Sequence, residues 1–173
     1  WFKENGYKRD QYPDAFYEHV ENELKPPLKG YWAMLMDGDG KITDENLSIE
    51  LTDLEPVQYL ADLYGSSISL VQFSKSEWSD IYTTQLSGKR FFHFVKLICP
   101  YANEKKQHLI KIINKKEPNY HPPKIPMNFK KDPSMITVHM GMVAGLFDSE
   151  GSVGIKPGTQ LHKSKNKGIQ IYN

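Results

Sequence analysis

The sequence feature that most constrains this chain is a nonapeptide that occurs twice. Residues 32–40 read WAMLMDGDG and residues 143–151 read VAGLFDSEG. Both copies have Ala second, Leu fourth, Asp sixth, an acid eighth and Gly ninth, and they start 111 positions apart. A spacing of that size matches one small domain. The repeat therefore predicts two similar units, of which this sequence holds the first and the start of the second.

The segments around the first copy alternate between helical and strand patterns. A short amphipathic helix is predicted after Pro13, and a break at Lys25–Gly30 separates it from the next helix. The patterns then predict a buried helix at 31–36, a weak first strand, a strand at 47–51, a helix at 55–63, strands at 67–73 and 78–85, and helices at 88–99 and 102–113. This order predicts an α+β fold, with helices on one face of a small antiparallel sheet.

The clearest boundary is Glu117–Pro133, which holds five of the eleven prolines. Proline removes a backbone donor and is excluded from helix interiors, so this stretch predicts an extended linker. The two breaks divide the chain into four parts. They are an N-terminal helical segment at 1–29, a first unit at 30–116, the linker at 117–133, and the start of a second unit at 134–173.

Composition excludes several classes of protein. One cysteine allows neither an internal disulfide nor a four-cysteine zinc site, and no run approaches the roughly 18 apolar residues of a membrane span. The net charge is only +1, but residues 100–173 carry 12 basic and 5 acidic side chains. A charge gradient of this kind hints at a nucleic-acid partner.

The acids of the nonapeptide have two chemical interpretations. As an EF-hand calcium loop with Gly40 at position 6, the first copy would place Leu35 at position 1 and Asn46 at position 12, and neither is a suitable ligand. Alternatively, each copy is a short helix whose small residues allow close packing against its twin. The acids at the helix ends would then lie side by side and hold divalent metals for phosphodiester hydrolysis.

The paired nonapeptides resemble those of the LAGLIDADG homing endonucleases. Residues 100–107, with Pro-Tyr followed by Lys-Lys-Gln, are similar to the family segment that opens the last helix of the unit. The resemblance covers about residues 28–173. It implies an αββαββα unit, the start of a second pseudo-symmetric copy, and a monomer that cuts double-stranded DNA at a long site with Mg²⁺ or Mn²⁺.

The resemblance also implies roles for individual residues. Asp39 and Glu150, the eighth residues of the two copies, would bind the metals, with the carbonyl groups of Gly38 and Ser149 completing the coordination. Lys105 would lie near the scissile phosphate, and Asp53, at the end of a strand, would orient water. Met34 stands where the family has a packing glycine, so Ala33 is expected to supply the close approach.

Basic and amide side chains are the candidates for DNA contacts. Such side chains reach guanine and adenine edges in the major groove, and lysines contact phosphates. The candidates for the sheet face are Lys41, Gln72, Lys75, Gln85, Lys89 and Arg90, and Lys106 is a candidate for phosphate contact.

The sequence leaves two other functions open. An intron maturase would use the same fold to bind intron RNA, and a nuclease-dead relative would bind DNA without cutting it. The resemblance further implies an origin in an organellar, phage or bacterial intron. It leads us to expect that the natural chain continues past Asn173 with a basic remainder of the second unit.

Overall fold

The computed structural model of the protein describes residues 4–6, 12–72, 80–125 and 135–150, apart from the side chain of Glu150. The described residues form an α+β fold with a four-stranded antiparallel sheet, which confirms the predicted class. The helices are α1 (Asp14–Glu23), α2 (Pro26–Gly38), α3 (Leu54–Tyr64), α4 (Gly88–Ile98), α5 (Lys106–Asn114) and α6 (Met135–Glu150), and the strands are β1 (Lys41–Ile42), β2 (Asn46–Leu51), β3 (Ile68–Val71) and β4 (Ile81–Ser87).

The sheet has the order β1-β2-β4-β3, and every neighbouring pair is antiparallel. Leu47, Ile49 and Leu51 of β2 are buried, because successive side chains of a strand point to opposite faces and the helices cover this one. Ser48 and Glu50 therefore lie on the outer face. β1 is only two residues long, in agreement with the prediction of a weak first strand.

The core joins all the helices that precede the linker to the covered face of the sheet. Phe16 of α1, Trp32 of α2 and Phe94 of α4 lie in one cluster with the β2 side chains. Cys99 is fully buried in the same cluster, as expected for a small apolar group. The predicted end of α3 is also confirmed, since Gly65 follows it with a left-handed φ of 62°.

Several predicted boundaries were wrong by a few residues, and two of these errors have a clear physical reason. The break at Lys25–Gly30 is shorter than expected, because α2 already begins at Pro26. Proline is tolerated in the first turn, where the backbone N–H has no partner within the helix. The last helix before the linker begins at Lys106 rather than at residue 102. Its start is displaced because the N–H groups that precede it bind the Asp37 side chain of α2.

Helices α2 and α6 lie in direct backbone contact. A Cβ atom on Gly141 would overlap the carbonyl oxygen of Pro27, and one on Gly145 would overlap that of Tyr31. The contacts advance in the same direction along both helices, from 27 with 141 to 31 with 145, so the helices are parallel. Glycines four positions apart form the flat surface that allows this approach.

The contact between α2 and α6 has approximate two-fold symmetry. A Cβ atom on Gly30 would lie 3.0 Å from the carbonyl oxygen of Val138, much as Gly141 meets Pro27. Gly141 follows Gly30 by 111 residues and Val138 follows Pro27 by 111, which is the spacing of the nonapeptides. Equivalent positions of the two segments therefore exchange equivalent contacts, as in an isologous interface.

The role expected of Ala33 in this interface stays a prediction. Ala33 is fully buried in the core of the first unit, and its equivalent Ala144 is exposed on α6. The close approach on the α2 side comes from Gly30, which lies two positions before the first nonapeptide.

We expect Gly145→Val to disrupt the pairing of α2 and α6. The new side chain would have to displace the Tyr31 backbone, and overpacking of this kind costs about 1–3 kcal/mol or more. Ala144→Val is the matched control, since it adds the same side chain at the adjacent, exposed position and should cost about 0.5 kcal/mol. Urea unfolding and hydrogen exchange in α6 measure the difference. Equal losses for the two variants would contradict the glycine contact.

Candidate metal and nucleic-acid site

The two nonapeptides end at the same end of the α2–α6 pair. Asp39 directly follows α2, and its backbone N–H closes the last turn by donating to the carbonyl oxygen of Leu35 at 3.0 Å. Asp39 is exposed. Glu150 is the last residue of α6. Because the helices are parallel, the eighth residue of each nonapeptide is delivered to the same region.

The side chain of Lys105, the residue just before α5, reaches the end of α2. Its Nζ atom donates to the carbonyl oxygens of Met36 at 2.6 Å, Gly38 at 3.2 Å and Gly40 at 2.8 Å. These carbonyls lie at the negative end of the helix dipole, which attracts a cation. The lysine predicted to act on phosphate therefore contacts the carbonyl group predicted to bind metal.

Asp37 of α2 binds, in return, the segment just before α5. The sequence did not predict this contact. Asp37 is buried, and its carboxylate accepts hydrogen bonds from the backbone N–H groups of Asn103 at 2.6 Å, Glu104 at 3.2 Å and Lys105 at 3.0 Å. An α2 side chain thus caps the start of α5, where the helix dipole favours an anion. The available signal was the Asp that both nonapeptides carry at their sixth position.

Asp37 and Lys105 thereby each bind backbone groups of the other's segment. The carboxylate satisfies the N–H groups before α5, and the ammonium group satisfies carbonyls at the end of α2. The chain must also turn tightly after α2, since a Cβ atom on Gly40 would lie 2.7 Å from the carbonyl oxygen of Met36. This contact explains the glycine at the ninth position of the first copy.

The second copy has a different environment at the same positions. Asp148, the counterpart of Asp37, is exposed and accepts a hydrogen bond from the Tyr31 hydroxyl group at 2.9 Å. Burial, together with the smaller effect of this bond, raises the pKa of Tyr31 far above its usual range, so the hydroxyl keeps its proton. Ser149 donates from Oγ to the carbonyl oxygen of Leu146 at 3.1 Å.

Asp53 is committed to a local structural contact. It is the N-cap of α3, and its carboxylate accepts from the backbone N–H of Glu55 at 3.1 Å. A capping aspartate of this kind stabilises a helix by about 1 kcal/mol. The water-orienting role that the resemblance implies for Asp53 would therefore have to be shared with this cap.

The outer face of the sheet carries two of the predicted DNA contacts. Lys41 pairs with Ser48 across β1 and β2, and Ser48 pairs with Gln85 across β2 and β4, so the three residues form one row. Gln85 is exposed, and the Lys41 Nζ atom donates to Glu50 at 2.7 Å. The face is mostly polar around this row, with Asn46, Glu50, Ser69, Thr83 and Ser87 on it.

The sheet-face expectation was wrong for Lys89 and Arg90. Both lie in the first turn of α4. The Arg90 Cζ atom lies 4.8 Å from the centre of the Tyr12 ring, a contact that holds the segment before α1. Arg90 also donates to the carbonyl oxygen of Tyr64, in α3, at 3.2 Å. Their position follows from the strand-to-helix transition at Gly88, which has a left-handed φ of 60°.

Of the remaining DNA candidates, Gln72 and Lys106 lie away from the row. Gln72 is exposed just beyond the end of β3, and Lys75 falls outside the described residues. Lys106, at the start of α5, donates from Nζ to the carbonyl oxygen of Pro100 at 3.0 Å. The structure therefore brings Lys41 and Gln85 onto one surface and leaves Gln72, Lys89, Arg90 and Lys106 elsewhere.

The donor set at the end of α2 suits a hard divalent cation. Gly38 and Gly40 present carbonyl oxygens that already hold the Lys105 ammonium group, and Asp39 adds a carboxylate. Mg²⁺ and Mn²⁺ prefer such oxygen ligands. Within the described residues, no group of three or more His, Cys, Asp or Glu side chains is arranged to hold a metal ion.

Comparison with known proteins gives no assignment. No model of a known protein family matches the chain, and no curated protein matches it either. In the part of the chain that the structure describes, no helix is long and apolar enough to cross a membrane.

We expect Asp37→Ala to destabilise the protein by about 2–3 kcal/mol, because three backbone N–H groups would lose a charged acceptor. Asp62→Ala is the control, since Asp62 is exposed in α3 and its carboxylate accepts a hydrogen bond from Gln58 at 2.9 Å within the same helix. Its loss should stay within about 0.5 kcal/mol. Urea unfolding followed by circular dichroism measures both values. Similar stability in the two variants would contradict the capping role of Asp37.

Proposed function

We propose that this chain holds the first unit, and the beginning of the second, of a LAGLIDADG homing endonuclease. The observation that carries the proposal is the parallel α2–α6 pair, which packs through Gly30, Gly141 and Gly145 in a two-fold arrangement. Each helix ends in one nonapeptide, so the two acidic positions meet between two equivalent units.

The exposed face of α6 supports a second, equivalent unit. Val143, Leu146 and Phe147 are 53%, 48% and 37% exposed, whereas their equivalents in α2, at positions 32, 35 and 36, are almost fully buried. An apolar face of this size needs a cover. In our proposal the second unit provides it, and both units have the order αββαββα, with which the observed succession from α2 to α4 is compatible.

In the proposed site, Asp39 and Glu150 hold Mg²⁺ or Mn²⁺, with the carbonyl groups of Gly38 and Ser149 as further ligands. When bound, such metals activate water and stabilise the leaving oxygen of a phosphodiester. The chain's own contribution is to fix the ligands. Gly40 and the helix contact set the backbone, and Asp37 fixes the segment from which Lys105 reaches the site.

The outer face of the sheet is the proposed DNA-reading surface. Four strands span about 14 Å, which is comparable to the width of about 12 Å of the major groove. Gln85 offers an amide for adenine, Lys41 offers an ammonium group for guanine, and Ser48 lies between them. Lys106 and other lysines of the α5 region would contact phosphates, which positions the DNA without reading its sequence.

The test is cleavage of a plasmid library with random inserts by the full-length protein in Mg²⁺, followed by sequencing of the new ends. Asp39→Asn should lower cleavage by more than about a hundredfold, since changes even in outer-shell partners of a metal cost about 10- to 100-fold. Asp44→Asn is the control, because Asp44 is exposed and paired with Lys115.

Undiminished cleavage by Asp39→Asn would remove the mechanism. If wild-type protein cuts no DNA but binds structured intron RNA, the maturase function would replace the endonuclease. Sequence-specific DNA binding without cleavage in Mg²⁺ or Mn²⁺ would instead favour the nuclease-dead relative.

A further inference from the structure

The ammonium group of Lys105 is held in a cage of carbonyl oxygens. It donates to the carbonyl oxygens of Met36, Gly38 and Gly40, at 2.6, 3.2 and 2.8 Å. All three acceptors belong to the end of α2 and the turn after it. The cage therefore has the number and kind of ligands that bind a cation, and Lys105 supplies that cation from within the chain.

The cage shares one oxygen with the proposed metal site. A magnesium ion bound to the Gly38 carbonyl oxygen would lie about 2.0–2.1 Å from it, and Nζ lies 3.2 Å from the same atom. The two cations would then be at most about 5 Å apart. A carbonyl oxygen has lone pairs for both, so the conflict comes from charge, because like charges at that separation in a partly buried site repel strongly.

The backbone of Lys105 cannot move away as a whole. Its N–H donates to Asp37 at 3.0 Å, and Asp37 is buried and also binds the two preceding N–H groups. The side chain, by contrast, is a flexible four-carbon stem beyond this anchor. Any release of the ammonium group therefore takes place as a swing of the side chain from a fixed base.

We propose that Lys105 is the resident cation of this carbonyl cage, and that a divalent metal ion at the end of α2 displaces its ammonium group. This inference rests on the proposed function, since it uses the metal site of the nuclease. It adds that metal binding and release of the lysine are one event. The side chain of Lys105 reaches a phosphate only after the metal has bound the Gly38 carbonyl group. Lys105 is therefore a positioning residue, and the location of its side chain depends on whether metal is bound.

Amine footprinting of the full-length wild-type protein tests the displacement directly. Acetylation of each lysine is followed by mass spectrometry as Mg²⁺ alone is added, without DNA. Lys105 should react slowly without metal and several-fold faster once metal binding saturates. Lys106 is the matched control, because its ammonium group is bound to the Pro100 carbonyl group, outside the cage. Unchanged reactivity of Lys105 at saturating Mg²⁺ would overturn the inference.

Calorimetric titration with Mg²⁺ or Mn²⁺ gives the reciprocal measurement. Removing the competing charge in Lys105→Met should tighten metal binding by about tenfold. Lys96→Met should leave it unchanged, since Lys96 is paired with Glu117 and has no part in the proposed site. Equal metal affinity in wild type and Lys105→Met would overturn the displacement and leave the proposed metal site standing. Absence of metal binding in both proteins would overturn both. The footprinting uses wild-type protein, so it decides the question even if Lys105→Met fails to fold.

Discussion

The structure depends on a backbone-to-backbone contact between α2 and α6. Where Gly141 and Gly145 meet the carbonyl oxygens of Pro27 and Tyr31, there is no room for even a methyl group. This contact fixes the relative position of two segments that lie 111 residues apart, and it leaves the opposite side of α2 for the core. α2 is therefore buried on two sides, by Trp32, Leu35 and Met36 in the core and by the glycines of its partner.

Burial of α2 on both sides creates an electrostatic problem at its end. Carbonyl groups of a last turn that cannot reach water need donors from the protein. Lys105 supplies them, and Asp37 supplies the acceptor for the N–H groups that bring Lys105 there. The two helix ends satisfy each other, so the geometry of the site is a consequence of how the fold closes. A cation is part of that solution whether or not metal is present.

Much of the fold could be predicted from the sequence, because its signals are local. The alternation of Leu47, Ile49 and Leu51 predicts a strand, and Gly65 predicts a helix end from its own backbone preference. The start of α5 could not be predicted in this way. It depends on Asp37, which lies 69 residues before the helix, and no local pattern reports a cap from that distance. The binding of Lys105 to α2 and the contact of Arg90 with Tyr12 are tertiary in the same sense.

Helix geometry gives the two acids of the nonapeptide different surroundings. Residues two positions apart on a helix point about 200° away from each other. Asp37 is consequently buried against the N–H groups before α5, whereas Asp39, directly after α2, is exposed. The sixth position thus serves the architecture around α2, and the eighth is the position to which our proposal assigns the metal. Asp148 repeats the sixth position on α6, and in place of a capped helix it binds Tyr31 across the helix pair. The difference between these two aspartates follows from their neighbours: Asp37 faces the backbone N–H groups before α5, and Asp148 faces the Tyr31 hydroxyl group.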